Sequence, residues 1–259
     1  MMQLTQIWRH PVKSLGGELL STGEIESNGL AFDRAFGIID DATEKIVTAR
    51  REPKLLFGAA SIGASGELSL ELPSGDGSVQ ITVPYVGDID VDSALSNWIG
   101  RPVHLALAKH HEVVTAESYS DPIDESSALR EWQLPEGRFV DSAPLLLVTT
   151  QTLQSGRDVH PSGRWDVRRF RPNLVIDALG TAWLEDDWTS MRISVGGVEL
   201  RVRKPCGRCT MITRAQPGIE ADLEIFKALA HEHGATFGVL CDVVRPGTIS
   251  IGDELVISN

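Results

Sequence analysis

The sequence predicts a mainly β chain of the α+β class, with barrel-like architecture and a few peripheral helices. Short runs rich in β-branched and apolar residues, set off by Gly, Pro and Asp turns, recur from Leu4 to Ile257. Only two stretches show convincing helical spacing, and strands do not alternate regularly with helices as a doubly wound sheet requires.

Taken in order, Leu4–Trp8 reads as a strand. Ala35–Asp40 and Lys45–Arg50 flank an Asp-Asp-Ala-Thr turn like the arms of a hairpin, and Glu67–Leu72 and Val79–Val83 straddle Pro-Ser-Gly-Asp-Gly. Asp92–Ile99 has the form of a brief helix, with Gly100 after its end. Residues 1–110 are therefore expected to form a small β domain. Polar and acidic residues dominate Glu112–Gly137, which predicts a loop-like connection. In residues 111–259, Pro144–Thr149 reads as a buried strand, Leu174–Asp177 as another, and Arg192–Arg203 as two strands around Gly-Gly. Glu220–His233 is the strongest helix, with Leu223, Phe226, Leu229 and Ala230 at helical spacing and Gly234 as its stop. Phe237–Val244 and Glu254–Ile257 supply closing strands.

The chain has 259 residues, enough to bury a substantial core, and a formal net charge of −12. That charge argues against nucleic acid, whose binding rests on broad phosphate neutralisation, and against an anionic membrane surface. No run approaches the ~20 apolar residues that span a bilayer, and the amino terminus has no signal-peptide pattern. Three cysteines are too few for a disulfide scaffold at this length, so a cytoplasmic location is expected.

Chemistry is expected in Arg201–Gly218. Cys206 and Cys209 stand there among Arg201, Arg203, Lys204, Arg208 and Arg214, with no acid between them. Neighbouring cations favour the thiolate, the form that attacks and binds metals. A second cluster holds Arg164, Arg168, Arg169 and Arg171, so the two stretches carry nine of the 24 Lys and Arg residues. On an acidic chain this suggests a small anionic ligand, since guanidinium groups grip phosphate bidentately, although solvated strand faces would look the same.

Other readings of the cysteines are weaker. Zinc needs three or four ligands and no second close pair is present. A thioredoxin-like dithiol wants a helix N-terminus, whereas Thr210–Thr213 favours extended chain. Adjacent His110 and His111 would point to opposite strand faces, and His231 and His233 to different sides of a helix.

Seven stretches together resemble a known family. Trp8–Gly16 and Gly29–Arg34 resemble the β-barrel domain that precedes MOSC domains. Pro144–Leu153, Arg169–Ile176, Trp183–Trp188, Lys204–Cys209 and Pro246–Asp253 occur in the order seen in MOSC domains themselves, and the pattern closely resembles the amidoxime-reducing component family and its bacterial relatives. The resemblance implies an N-terminal β-barrel domain followed by a MOSC-type β-barrel. It implies a molybdenum-molybdopterin cofactor whose metal is held by Cys209, with Lys13, Ser14, Arg34, Arg171, Asn173, Gly207 and Arg208 binding the pterin and its phosphate. The implied activity is reduction of N-hydroxylated or N-oxygenated small compounds, with electrons from a separate ferredoxin- or flavin-reductase-like protein. The alternative is a sulfur carrier or cofactor-handling protein that uses a cysteine persulfide. The chain departs from the family at Thr210–Ala215, where the usual Thr-Thr-Val-Asp-Pro is replaced and a cation, Arg214, enters.

Overall fold

The computed structural model describes residues 1–75, 77–121, 124 and 126–258. Two compact units form, each from separated segments: Met1–Trp8, Leu19–Ala31 and Ala143–Asn259 make one, Arg9–Glu18 and Phe32–Ser142 the other. Residues 111–142 thus pack with the second unit, and the first strand with the first.

The first unit is a closed seven-stranded barrel. Its strands run around the wall in the order Leu174–Asp177, Leu145–Thr149, Thr236–Arg245, Val198–Gly207, Arg192–Val195, Glu254–Ser258 and Met2–Arg9, which pairs back onto Leu174–Asp177. Among the described strands of the wall, only Leu145–Thr149 and Leu174–Asp177 pair in parallel. A parallel pair needs a crossover, and helix Thr150–Val159 supplies it. Alternation along the wall explains the apolar runs. Leu145, Leu147, Leu174, Ile176, Val239 and Cys241 fill the barrel, while Leu146, Val148, Val175 and Leu240 face outward against Leu153, Ile225 and Leu229 of the helices Thr150–Val159 and Leu223–His233. Strands covered on both sides read as continuous hydrophobic sequence. Trp165, Phe170 and Phe237 stack in that outer layer, with Trp165 12° and Phe237 10° from parallel to the Phe170 ring.

The second unit holds a three-stranded antiparallel sheet (Ala59–Ile62, Leu68–Ser74, Gly77–Val83), a pair formed by Phe36–Asp40 and Val103–Leu107, and the helix Ile89–Ile99. Asp88 caps that helix by accepting from the amides of Asp90 and Val91, and Gly100 ends it at φ +87°.

The mainly β expectation holds, with four local corrections. Glu112–Gly137 contains an antiparallel hairpin, Thr115–Tyr119 with Leu129–Gln133. Its cross-strand pair Glu117–Glu131 would repel, but the Lys45 ammonium reaches both carboxylates at 2.9 and 2.5 Å. Lys45–Arg50 makes a single bridge, Ile39 to Ile46, before turning away. Thr150–Val159 is helical although its polar composition hid it; Thr149 caps it through a bond from the Thr152 amide. Finally, Thr210–Thr213 is a one-turn 3-10 helix where extended chain was expected.

Candidate functional site

The barrel unit builds the cysteine stretch from its Val198–Gly207 strand. Alternation sends Val198, Leu200 and Val202 into the core and leaves Arg201, Arg203 and Lys204 exposed. Arg203 grips Asp242 of the neighbouring strand with two nitrogens. These three cations therefore coat the barrel wall. Near its end the strand slips register between Pro205 and Gly207, which frees Cys206 from strict alternation.

Cys206, Gly207, Arg208 and Cys209 are then held by what Arg208 touches. Its amide bonds to the Ala235 carbonyl at 2.7 Å. Its guanidinium donates to the Phe170 carbonyl at 2.8 Å and toward the Cys206 sulfur at 3.3 Å, and its charge lies 5.7 Å from the Phe170 ring centre. Arg208 thus ties the cysteine loop to the residue immediately before Arg171. Cys209 follows, half-buried and extended, as the residue that caps the Thr210–Thr213 turn. Gly207 is exposed, and a side chain there would meet open space. Cys241, by contrast, is fully enclosed, and burial pushes its thiol far up, so it is the inert member of the three.

The second cationic cluster does something the sequence did not suggest. Arg169 is 2% exposed and donates to four carbonyls: Arg164 at 2.8 Å, Ile212 at 3.0 Å, Arg214 at 3.2 Å and Glu220 at 2.7 Å. Arg168 forms a forked pair with Asp166 and reaches the Pro217 carbonyl, and Arg164 donates to the Gly218 carbonyl. These three guanidiniums pin the 209–222 loop rather than offering themselves to an anion. Arg171 holds left-handed backbone at φ +55°. Asn173 is buried; its amide oxygen accepts from Leu146 N–H at 3.1 Å and its amide nitrogen donates to the Trp8 carbonyl at 3.2 Å, stitching three barrel strands.

Lys13, Ser14 and Arg34 belong to the other unit. Lys13 is buried, and its ammonium donates to the Phe139 carbonyl and to Asp141, both at 2.7 Å. Burial lowers the Lys13 pKa, partly offset by Asp141. Burial raises the Asp141 carboxyl, but the Lys13 and Arg50 charges outweigh it and hold it below the usual range. The Asp141 side chain keeps 47% of its surface, so solvent screens this trio and the depression is smaller than the crowding of charges implies. Ser14 (φ +73°) accepts from the Ala49 amide at 3.0 Å, and Arg34 (φ +46°) pairs with the buried Asp33 at 2.5 Å.

Sequence reasoning missed Asp141 and Arg50, although an acid between Phe139-Val140 and Ala143-Pro144 was a visible signal. It also left Glu185 without a role. That carboxyl is completely buried and accepts from the Thr149 amide (3.1 Å), the Thr149 hydroxyl (2.6 Å) and the Thr152 hydroxyl (2.6 Å). Burial pushes its pKa up, against the pull of those donors. Among the described residues no group of three or more His, Cys, Asp or Glu is arranged to hold a metal ion, and no helix is long and apolar enough to cross a membrane.

Comparison with known proteins accounts for most of the chain. Residues 1–99 match the family model of the MOSC N-terminal beta barrel domain, and residues 135–256 that of the MOSC domain. The mitochondrial amidoxime-reducing component 1 of Mus musculus is 24% identical over 98% of this chain and 82% of its own length. The molybdenum cofactor sulfurase of Bos taurus is 23% identical over 98% of this chain, which spans only 32% of that protein. The crystal structure of the YUAD protein from Bacillus subtilis aligns over 99% of this chain and 96% of that one, at 13% identity and a TM-score of 0.49. The two matched segments, in this order and with this barrel, make the chain a member of the MOSC domain family that carries the MOSC N-terminal beta barrel domain.

Proposed function

We propose that this protein binds the molybdenum-molybdopterin cofactor and acts as an oxidoreductase on N-hydroxylated or N-oxygenated small compounds, taking electrons from a separate donor protein. The observation that carries the reading is Cys209: an accessible thiol one residue from a guanidinium that is itself fixed by Phe170 and Cys206. A thiolate suits a soft, high-valent metal, and fixed cations suit a phosphate-bearing pterin. Three of the residues assigned to the pterin, Ser14, Arg34 and Arg171, also hold left-handed backbone despite having side chains, a strain that clusters at functional positions.

Bound there, the cofactor would supply two-electron oxygen-atom-transfer chemistry. The protein's own part is to hold it. Cys209 donates the metal-binding sulfur. Arg208, the residue before it, holds its guanidinium against the Phe170 carbonyl and the Cys206 sulfur and so fixes the loop that presents Cys209. Gly207 leaves its backbone open to close approach. Asn173, whose amide is engaged by Leu146 and Trp8, fixes the strand start next to Arg171. We assign residues 1–110 to the MOSC N-terminal β-barrel domain, residues 111–259 to the MOSC domain, and the cytoplasm as the setting, in keeping with three thiols outside any disulfide.

The test is metal and pterin analysis of protein made in a host that synthesises the cofactor. About one equivalent of each supports the proposal, and absence of both sinks it. Two sets of relatives differ in name, so the same preparation should be incubated with a cysteine desulfurase: a persulfide on Cys209 in pterin-free protein would favour the sulfur-carrier reading.

A further inference from the structure

In the second unit, Gly77–Val83 is the outer strand of the three-stranded sheet. It pairs with Leu68–Ser74 without a bulge, from Leu68 opposite Val83 to Ser74 opposite Gly77, and among the described residues no strand covers its other edge. Edge strands are normally guarded by a lysine, a proline, a bulge or brevity, because their unpaired amides and carbonyls invite another strand. This one, Gly-Ser-Val-Gln-Ile-Thr-Val, has seven residues, no charge, no proline and no irregularity. Its apolar row also runs off the sheet. Leu68, Leu70 and Leu72 are at most 3% exposed, whereas Val79, opposite Leu72 on the same face, is 46% exposed.

The strand is also chemically symmetric about Gln80. Antiparallel pairing with an identical strand, centred there, sets Ser78 against Thr82, Val79 against Ile81, and Gln80 against Gln80. Each of these pairs matches in kind, and the two partners of each lie on one face, since they differ by an even number of positions. That is the self-complementarity an isologous two-fold interface demands. A charged peptide would find no charge on this strand to select it.

We propose that Gly77–Val83 is a homodimerisation edge, joining two copies of this chain into one continuous six-stranded antiparallel sheet with the two-fold axis through Gln80. Net charge does not forbid it. The nearest acid on the neighbouring strand, Glu71, is opposite Gln80, so the two copies of Glu71 lie about 14 Å apart at ordinary strand spacing, beyond the Debye length of about 8 Å. One strand per copy is a small interface, so the dimer should be concentration-dependent.

Sedimentation velocity of the full chain over a concentration series should show a reversible monomer–dimer equilibrium. Gln80→Lys, at an exposed position, puts two cations face to face on the axis and should abolish the dimer while leaving the circular dichroism spectrum and melting temperature unchanged. Gln80→Cys should cross-link into a covalent dimer on oxidation, whereas Ser69→Cys on the inner strand and the parent protein should not. A parent protein that stays monomeric throughout overturns the proposal. So does a dimer that survives Gln80→Lys, or that forms without cross-linking through Gln80→Cys, since either places the contact elsewhere.

Discussion

Replacing Arg169 separates a structural role from an anion-binding one. Its guanidinium satisfies four carbonyls, three of them on the loop that begins at Cys209 and ends at the helix cap Asp222. A hydrogen bond from a charged donor contributes about 1.5–3 kcal/mol, and an orphaned buried acceptor costs about 1–3 kcal/mol. Water can reach part of the loop after truncation, so Arg169→Ala should cost about 3–5 kcal/mol rather than the full sum. Against a typical total of about 5–15 kcal/mol that is a large fraction. Arg169→Lys should recover only part, because one ammonium cannot span four acceptors arranged for a planar fork. Urea denaturation gives the global value. Amide exchange gives the local one, and the Asp222 amide, which bonds to the Thr213 carbonyl, should lose protection first. If Arg169→Ala denatures within about 0.5 kcal/mol of the parent while losing bound pterin, the guanidinium is a ligand group and the reasoning here is wrong.

Three further outcomes are expected. Cys209→Ser should abolish molybdenum binding, whereas Cys206→Ser, whose hydroxyl can still accept from Arg208, should keep most of it and Cys206→Val should keep less; metal analysis after identical expression ranks the three. Glu185 should give a pH signature: its pKa is raised in the folded protein, so the folded state holds that proton more tightly than the unfolded chain and stability falls as pH rises through the interval between the two pKa values. Glu185→Gln should remove that part of the slope in denaturation series run from acid to neutral pH. Gly29→Ala should destabilise the barrel by about 1–3 kcal/mol, because its backbone sits at φ +121° and a Cβ would lie 2.8 Å from the Pro144 carbonyl oxygen; thermal melts report it.

Strand positions were legible wherever one period of burial dominated. Leu174–Asp177 was read to the residue and the two strands around Gly196-Gly197 were placed, although the second runs four residues further, to Gly207, because buried side chains alternate or run unbroken there. Thr150–Val159 escaped because its helix buries Thr152, Ser155 and Gly156 beside Leu153, small polar residues that carry no hydrophobic period. Charge was the least legible signal. Arg169 and Arg208 look alike in sequence, yet one serves four backbone carbonyls and the other a sulfur and a single carbonyl, a distinction set by where the loop folds back. Likewise nothing local reveals that Lys13 meets Asp141, 128 positions away.

The barrel closes through Met2–Arg9, which pairs with Leu174–Asp177 on one side and Glu254–Ser258 on the other. During synthesis this strand emerges before the other six of the barrel wall and waits longest of the seven. At about 5–20 residues per second, Leu4 and Ile7, both fully buried at the end, must remain without their last neighbour for roughly 10–50 s. The closing step joins residues about 250 apart, so its loop entropy is met late and the folding rate should be limited by this strand's docking rather than by the hairpins around it. A chaperone that binds nascent apolar strands would therefore find its natural hold on Met2–Arg9.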